Sequence, residues 1–356
     1  MAMRTLLLAS LALFSATLSP AFAQDVAPKE ADAVFKDYVF ATGERLPEVK
    51  MHYTTLGTPK RDAQSNISNA VMILHGTGGT GQQFFQPQFA GELFGPGQVL
   101  DTAKYFIILP DNIGHGKSSK PSDGLRMAFP KYDYADMIAT QHQLVTKTLG
   151  IKKLKLILGT SMGCMHAFMW GARFPEAVEK LAPFACLPVE IAGQNRMWRK
   201  LSIDAIKADP TWAEGNYSSP PLSGLRTAAT LSLIAGANPL ALQAQFPTRA
   251  SAEAYTDEAF ARIVTRNDAN DIIYQLDSSR NYNPWPTLEA IKAPMLWINS
   301  ADDFINPSKY GITELAMKRL PSAKFILIPA SPETKGHGTH TWAKFWKNDL
   351  ASLLAQ

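Results

Sequence analysis

The run Lys155–Gly163, Lys-Leu-Ile-Leu-Gly-Thr-Ser-Met-Gly, narrows what this chain can fold into more than any other stretch. An apolar strand leads straight into Gly159-x-Ser161-x-Gly163, and a helical pattern begins at once. A serine at such a strand-to-helix turn takes a strained backbone conformation, and glycines two residues either side let neighbouring elements approach. The hydroxyl is pushed out at the carboxyl edge of a sheet. The unpaired N–H groups of the following helix point at the same spot. One turn therefore offers a nucleophile and part of an oxyanion hole.

The surrounding pattern supplies the sheet. Val34–Phe40 and Glu48–Leu56 read as an opening antiparallel pair, and Ala70–Leu74, Tyr105–Leu109 and Leu154–Leu158 as short buried strands. Tyr134–Leu149 has helical periodicity stopped by Gly150, and Cys164–Phe174 is the elbow helix, stopped by Pro175. Such alternation predicts an α/β architecture, a mostly parallel sheet flanked by helices. From about Glu190 to Pro286 the pattern is helical throughout, as expected for a helical cap inserted into the sheet domain. Strands resume at Met295–Asn299 and Lys324–Ile328, and a last helix is expected over Thr341–Leu354.

Residues 1–23 read as a secretory signal peptide: Arg4, an apolar run over Thr5–Leu18, then Ala21-Phe22-Ala23 as a cleavage site before Gln24. The remaining 24–356 form one domain with its helical cap at about 190–286. Arg4 is the only charge in the leader, so cleavage takes the net charge from +4 to +3. No basic block suits nucleic acid, and no later stretch suits stable membrane insertion. The expected partner is a small-molecule acyl substrate, and the expected location is the periplasm or beyond. The two cysteines, Cys164 and Cys186, can bridge in an oxidising compartment. Two buried free thiols are the preferred reading.

A serine nucleophile needs a base. Of seven histidines, His337 and His340 follow both the elbow and the last acidic strand end. His337, in the loop Lys335-Gly336-His337-Gly338, is favoured; His340 is the alternative. The acid that orients the histidine is sought after Met295–Asn299, where Asp303 is preferred to Asp302. The oxyanion donors are assigned to the backbone N–H groups of Thr77, in the glycine-rich loop after Ala70–Leu74, and of Met162. No metal or other cofactor is expected: the two histidines lack a carboxylate ligand pattern, and the glycine-rich loop lacks a P-loop lysine. Cap residues Met197, Trp198, Trp212, Tyr217, Phe246, Tyr282 and Trp285 are candidates for an acyl pocket, core packing explaining most of them. Arg196 or Arg226 is a candidate for holding a substrate carboxylate.

Together these residues resemble the α/β-hydrolase superfamily and, within it, the homoserine O-acetyltransferase family. The subgroup resemblance rests on Phe129-Pro130 before Tyr132, Asp136, Gln141, Leu149-Gly150-Ile151, Gly159–Met165, Phe174-Pro175, Asp303 with Pro307, and Gly336-His337. It implies an α/β-hydrolase fold, a Ser161–His337–Asp303 triad, and transfer of an acetyl group from acetyl-CoA to homoserine. Cys164 stands where that family usually has glycine. Because the leader directs the chain away from acyl-CoA, the expected activity is that of an exported serine hydrolase. It would cleave a carboxylic ester, or an amide or thioester, through an acyl-enzyme. An O-acyltransferase of the homoserine O-acetyltransferase type is the alternative, and a non-catalytic binding module the second alternative.

Overall fold

The computed structural model describes residues 27–356, without the side chains of Ile263, Thr265 and Arg266. The leader reading of residues 1–23 lies outside them. The described residues form an eight-stranded sheet of β1 (Lys29–Val39), β2 (Arg45–Leu56), β3 (Ala70–Leu74), β4 (Phe106–Pro110), β5 (Leu156–Thr160), β6 (Leu181–Phe184), β7 (Met295–Ser300) and β8 (Ala323–Ile328). The spatial order is β1-β2-β4-β3-β5-β6-β7-β8. β1 and β2 pair antiparallel with each other, and β2 antiparallel with β4; every later pairing is parallel.

The central strands are apolar along their whole length because both faces are covered. Ala70, Met72 and Leu74 of β3 belong to one hydrophobic cluster, while Val71 and Ile73 belong to another. Alternate residues of a strand point to opposite faces, so each face of the sheet carries its own core. This α/β architecture, a mostly parallel sheet flanked by helices, is the one the alternation predicts.

Helix α1 (Tyr134–Gln143) starts at Asp133, whose carboxylate caps Ala135 and Asp136 N–H, and it continues as a π-helical turn over Leu144–Thr148. The elbow helix α2 (Met162–Arg173) follows β5 directly. Between β6 and β7 the chain is helical, with α3 (Gly193–Ala208), α4 (Leu222–Gly236), α5 (Arg249–Arg266) and α6 (Ala269–Asp277) as its main elements. Ile203, Ile206, Trp212, Leu225 and Ile273 give these helices a core of their own. The C-terminal helix differs from expectation: two 3-10 turns, Gly336–Thr341 and Ala343–Phe345, precede α7 (Lys347–Ala355). Among the described residues no helix is long and apolar enough to cross a membrane.

The parallel strands all point their carboxyl ends the same way. The loops after β3, β5, β7 and β8 therefore meet at one edge, and they carry Thr77, Ser161, Asp303 and His337.

Candidate active site

Ser161 caps the elbow with φ 54° and ψ −110°, a left-handed conformation for a residue with a side chain. Such strain costs about 1–3 kcal/mol and persists only where the surroundings impose it. Here the two glycines do so. A Cβ on Gly159 would lie 1.9 Å from the Gly163 carbonyl oxygen, and one on Gly163 would lie 2.1 Å from that of Leu74. Phe184 O accepts the Ser161 N–H at 2.9 Å, and His75 O accepts the Gly163 N–H at 3.0 Å. The turn is thus tied to β6 on one side and to the loop after β3 on the other.

His337 Nε2 lies 2.8 Å from Ser161 Oγ, and its Nδ1 lies 2.8 Å from Asp303 Oδ2. Asp303 is fully buried at its carboxylate. Burial works hardest against its charge, yet His337 beside it and the N–H groups of Asn306 and Ile305 hold its carboxyl below the usual range. An ionised Asp303 fixes the Nδ1–H tautomer and leaves Nε2 free to accept the serine proton.

Asp302 stands outside this relay. It accepts hydrogen bonds from Ser300 Oγ, from Thr334 Oγ1 at 2.7 Å and from Gly336 N–H at 3.2 Å, clasping the loop that delivers His337. His340 is also outside. Its ring packs edge-on to His337 with centroids 5.0 Å apart, and burial pushes its pKa down to about 3, so it stays neutral. Among the described residues Thr77 and Met162 N–H donate to no acceptor, and Thr77 borders the cavity that contains Ser161.

A buried polar chain steadies the Thr77 loop from behind. Asn112 N–H donates to His75 Nε2 at 3.0 Å, Gln141 Nε2 to Asn112 Oδ1 at 2.5 Å, and Trp170 Nε1 to Gln141 Oε1 at 2.7 Å. Asp111 accepts Gly81 and Lys117 N–H at 2.8 and 3.0 Å. His115 packs on His75 with ring centroids 4.9 Å apart.

One expectation fails here. Cys164 and Cys186 are bridged, not free, with Cα atoms 5.8 Å apart. The first turn of α2 brings Cys164 against the chain just beyond β6, within ordinary bridging distance. The cap candidates for the pocket mostly pack elsewhere, as the core-packing reading expects. Met197 is exposed, Trp212 sits in the core of the helical segment, and Tyr282 is buried with its hydroxyl on Leu187 O. Of the seven, only Trp198 lines the cavity at Ser161. That cavity, of about 350 Å³, is walled on one side by α3, α4 and α6. A second, of about 250 Å³, also reaches Ser161 and His337 and is lined by Gln83, Gln86 and Gln88. No cluster of metal-ligating side chains occurs among the described residues.

A family model described as the alpha/beta hydrolase fold matches residues 69–333. The chain belongs to the α/β-hydrolase fold family. Within it, the chain resembles homoserine O-acetyltransferases. The one from Citrifermentans bemidjiense is 30% identical over 301 residues, 75% of this α/β-hydrolase and 80% of the relative. The one from Thermobifida fusca is 33% identical over 197 residues, 51% of this chain and 50% of the relative, so only half of that protein is spanned. Among solved structures, the homoserine O-acetyltransferase from Bacillus anthracis matches with TM-score 0.81 at 23% identity, over 92% of this chain and 98% of that one. An acetylester hydrolase from Corynebacterium glutamicum matches with TM-score 0.80 at 22% identity, over 92% and 96%. At those identities the two structures show the shared fold alone. The relatives decide more. Their names are homoserine O-acetyltransferase and, in Magnetococcus marinus, homoserine O-succinyltransferase, which overturns the expectation that the activity is ester hydrolysis.

Proposed function

We propose that this α/β-hydrolase is an O-acyltransferase of the homoserine O-acetyltransferase type. It moves an acyl group from an ester or thioester donor to the hydroxyl of a small acceptor, with homoserine the first candidate. The observation that carries the reading is the relay in which Ser161 Oγ meets His337 Nε2 at 2.8 Å. The relatives' names supply the acceptor.

In the first half-reaction Ser161 Oγ attacks the donor carbonyl carbon while His337 Nε2 takes its proton. The carbonyl electron pair moves onto oxygen, where Thr77 and Met162 N–H receive it. One such donor is typically worth about 100- to 1000-fold in rate. Collapse breaks the bond to the leaving group, which takes the proton from His337 and departs, leaving an acyl-serine. In the second half the acceptor hydroxyl gives its proton to His337 and attacks the acyl carbon. Ser161 Oγ leaves and regains the proton. Asp303 stabilises the imidazolium in both halves. The two cavities meeting at Ser161 support traffic of two substrates, and the helices over the larger one limit the access of competing water.

Export belongs to the same proposal. The leader reading of residues 1–23 and the Cys164–Cys186 bridge both support an oxidising compartment. Recovery of a chain beginning at Gln24 from outside the cytoplasm is the expected result; a cytoplasmic chain beginning at Met1 would refute it.

The activity is tested by incubating the protein with p-nitrophenyl acetate or acetyl-CoA, with and without L-homoserine. O-acetylhomoserine and acetate are then quantified by mass spectrometry. Acyl transfer should outpace hydrolysis at millimolar homoserine and vanish in Ser161→Ala. Acetate as the sole product at every homoserine concentration would overturn the reading.

A further inference from the structure

Met165 stands one helical turn beyond Ser161 on α2, and its N–H donates to Ser161 O at 3.2 Å. Ile305 lies two residues beyond Asp303, and its N–H donates to the Asp303 carboxylate at 2.8 Å. Both residues line the cavity at Ser161. Both also line a further cavity, of about 180 Å³. Among the described residues they are the only two that line both. The boundary between the cavities is therefore made of side chains anchored to two members of the triad.

The further cavity is apolar. The chain beyond β6 supplies Leu187, Val189 and Ile191, and the segment beyond β7 supplies Ile312. Among the described residues its one charged lining residue, Glu190, is exposed. Arg196 and Arg226, offered by the sequence for a carboxylate, pair with Asp277 at 3.2 Å and Asp257 at 3.3 Å, and neither lines this cavity. Tyr310, which lines it, is 52% exposed, and Phe304, the neighbour of Ile305, is 50% exposed. These two residues carry the apolar lining out to the surface. The other cavity that reaches Ser161 is lined by Gln83, Gln86 and Gln88 and offers an alkyl chain no comparable wall.

We propose that Met165 and Ile305 form the inner mouth of an acyl-chain site, so that Ser161 accepts medium-chain acyl groups in preference to acetyl. A water-sized unit takes about 30 Å³, and a methylene is of similar size, so the apolar cavity holds about six methylenes. With the carbonyl carbon and its neighbour beside Ser161, the fitting acyl group has about eight carbons. Methionine is unbranched, with three rotatable bonds, and can turn aside without disturbing α2. This inference rests on the acyl-serine step of the function proposed above and not on the acceptor.

The test reads kcat/KM from p-nitrophenol release with p-nitrophenyl acetate, butyrate, hexanoate and octanoate, each kept below its aggregation concentration. Intact mass confirms the acyl group on the protein and its loss in Ser161→Ala. A fully buried methylene is worth about fourfold, and one in a channel open at one end about twofold. The wild type should therefore gain roughly 10- to 100-fold from acetate to octanoate. Val189→Phe, which fills the cavity, should bring the octanoate-to-acetate ratio toward one. Met165→Ala, which widens the mouth, should raise it. The ratio cancels a uniform loss of active protein, and the two variants move it in opposite directions, so poor folding does not imitate the result. A wild-type ratio of one or below, or a Val189→Phe ratio equal to that of the wild type, overturns the proposal and leaves the acyl-serine reading standing. Absence of Ser161-dependent acylation with every ester overturns the acyl-serine reading and this proposal with it.

Discussion

Adjacent carboxylates, Asp302 and Asp303, have been given different work, and substitution separates them. Asp303 touches His337; Asp302 touches Ser300 at the end of β7 and the loop that carries His337, but not His337 itself. Asp302→Ala removes an ionised acceptor from Ser300 Oγ, Thr334 Oγ1 and Gly336 N–H. A bond to a charged group is worth about 1.5–3 kcal/mol when buried. Asp302 is only half-buried, so about 1 kcal/mol each is the better figure, giving about 2–3 kcal/mol in all. The loop is not freed entirely, because Asn238 Nδ2 still donates to Thr334 O at 2.7 Å and Ser331 O at 2.9 Å. A histidine misplaced by about 1 Å costs on the order of 100-fold. Asp302→Ala should therefore lower kcat by roughly 10- to 100-fold. Asp303→Asn, which lets the wrong tautomer form, should lower it by about 10⁴. The p-nitrophenol burst of the acylation step, with p-nitrophenyl acetate as donor, reads both. Equal losses in the two variants, or no loss in Asp302→Ala, would refute the division of labour.

Three other outcomes are expected. Reduction of the Cys164–Cys186 bridge, which joins residues 22 apart, should raise the intact mass by two hydrogens; the loop-entropy cost of about 3 kcal/mol corresponds to a drop of about 4 °C in Tm, and an unchanged mass would exclude the bridge. Burial pushes the pKa values of His166 and His340 down to about 3, so between pH about 6.5 and about 3 the unfolded chain takes up protons that the native state refuses; stability should fall on going from pH 7 to 5 by about 2 kcal/mol per histidine, His340→Gln should reduce that fall, and a urea midpoint that holds or rises would contradict it. Gly163→Ala drives a methyl into the Leu74 backbone carbonyl and should lose several kcal/mol of stability, more than typical overpacking; a normal melting curve would disprove the packing argument.

What could be read from the sequence follows from how local each feature is. The elbow is specified within nine residues, because the glycines, the preceding apolar strand and the helix start all lie in Lys155–Gly163. The sheet was legible for the same reason: each buried strand is one short apolar run. Asp302 against Asp303 is decided by which way the chain turns after β7, a geometry one residue finer than any spacing pattern. The cysteine pair depends on the end of β6 lying beside the first turn of α2, a tertiary contact that sequence separation does not encode. Arg199, a buried cation in the wall of the Ser161 cavity, was overlooked although a signal existed. It shares a helical face with Asn195, Ser202 and Ile206, all buried, so a charged residue occupies a core-facing position of α3. The final segment was misread because Trp342 and Trp346 continue the helical pattern, while the chain takes tight turns around them before α7 begins. Water and a hydroxyl acceptor use the same serine, histidine and aspartate. The choice between them is made by the cavity walls, assembled from helices remote in sequence.

The measurement that bears most directly on the central claim follows the acyl group itself. Protein acetylated with isotope-labelled p-nitrophenyl acetate is digested to locate the label, and a parallel sample is chased with L-homoserine. Label on the Ser161 peptide is expected, with deacylation accelerating in proportion to homoserine and the label leaving as O-acetylhomoserine. Label that leaves only as acetate, at a rate homoserine does not change, would contradict the account.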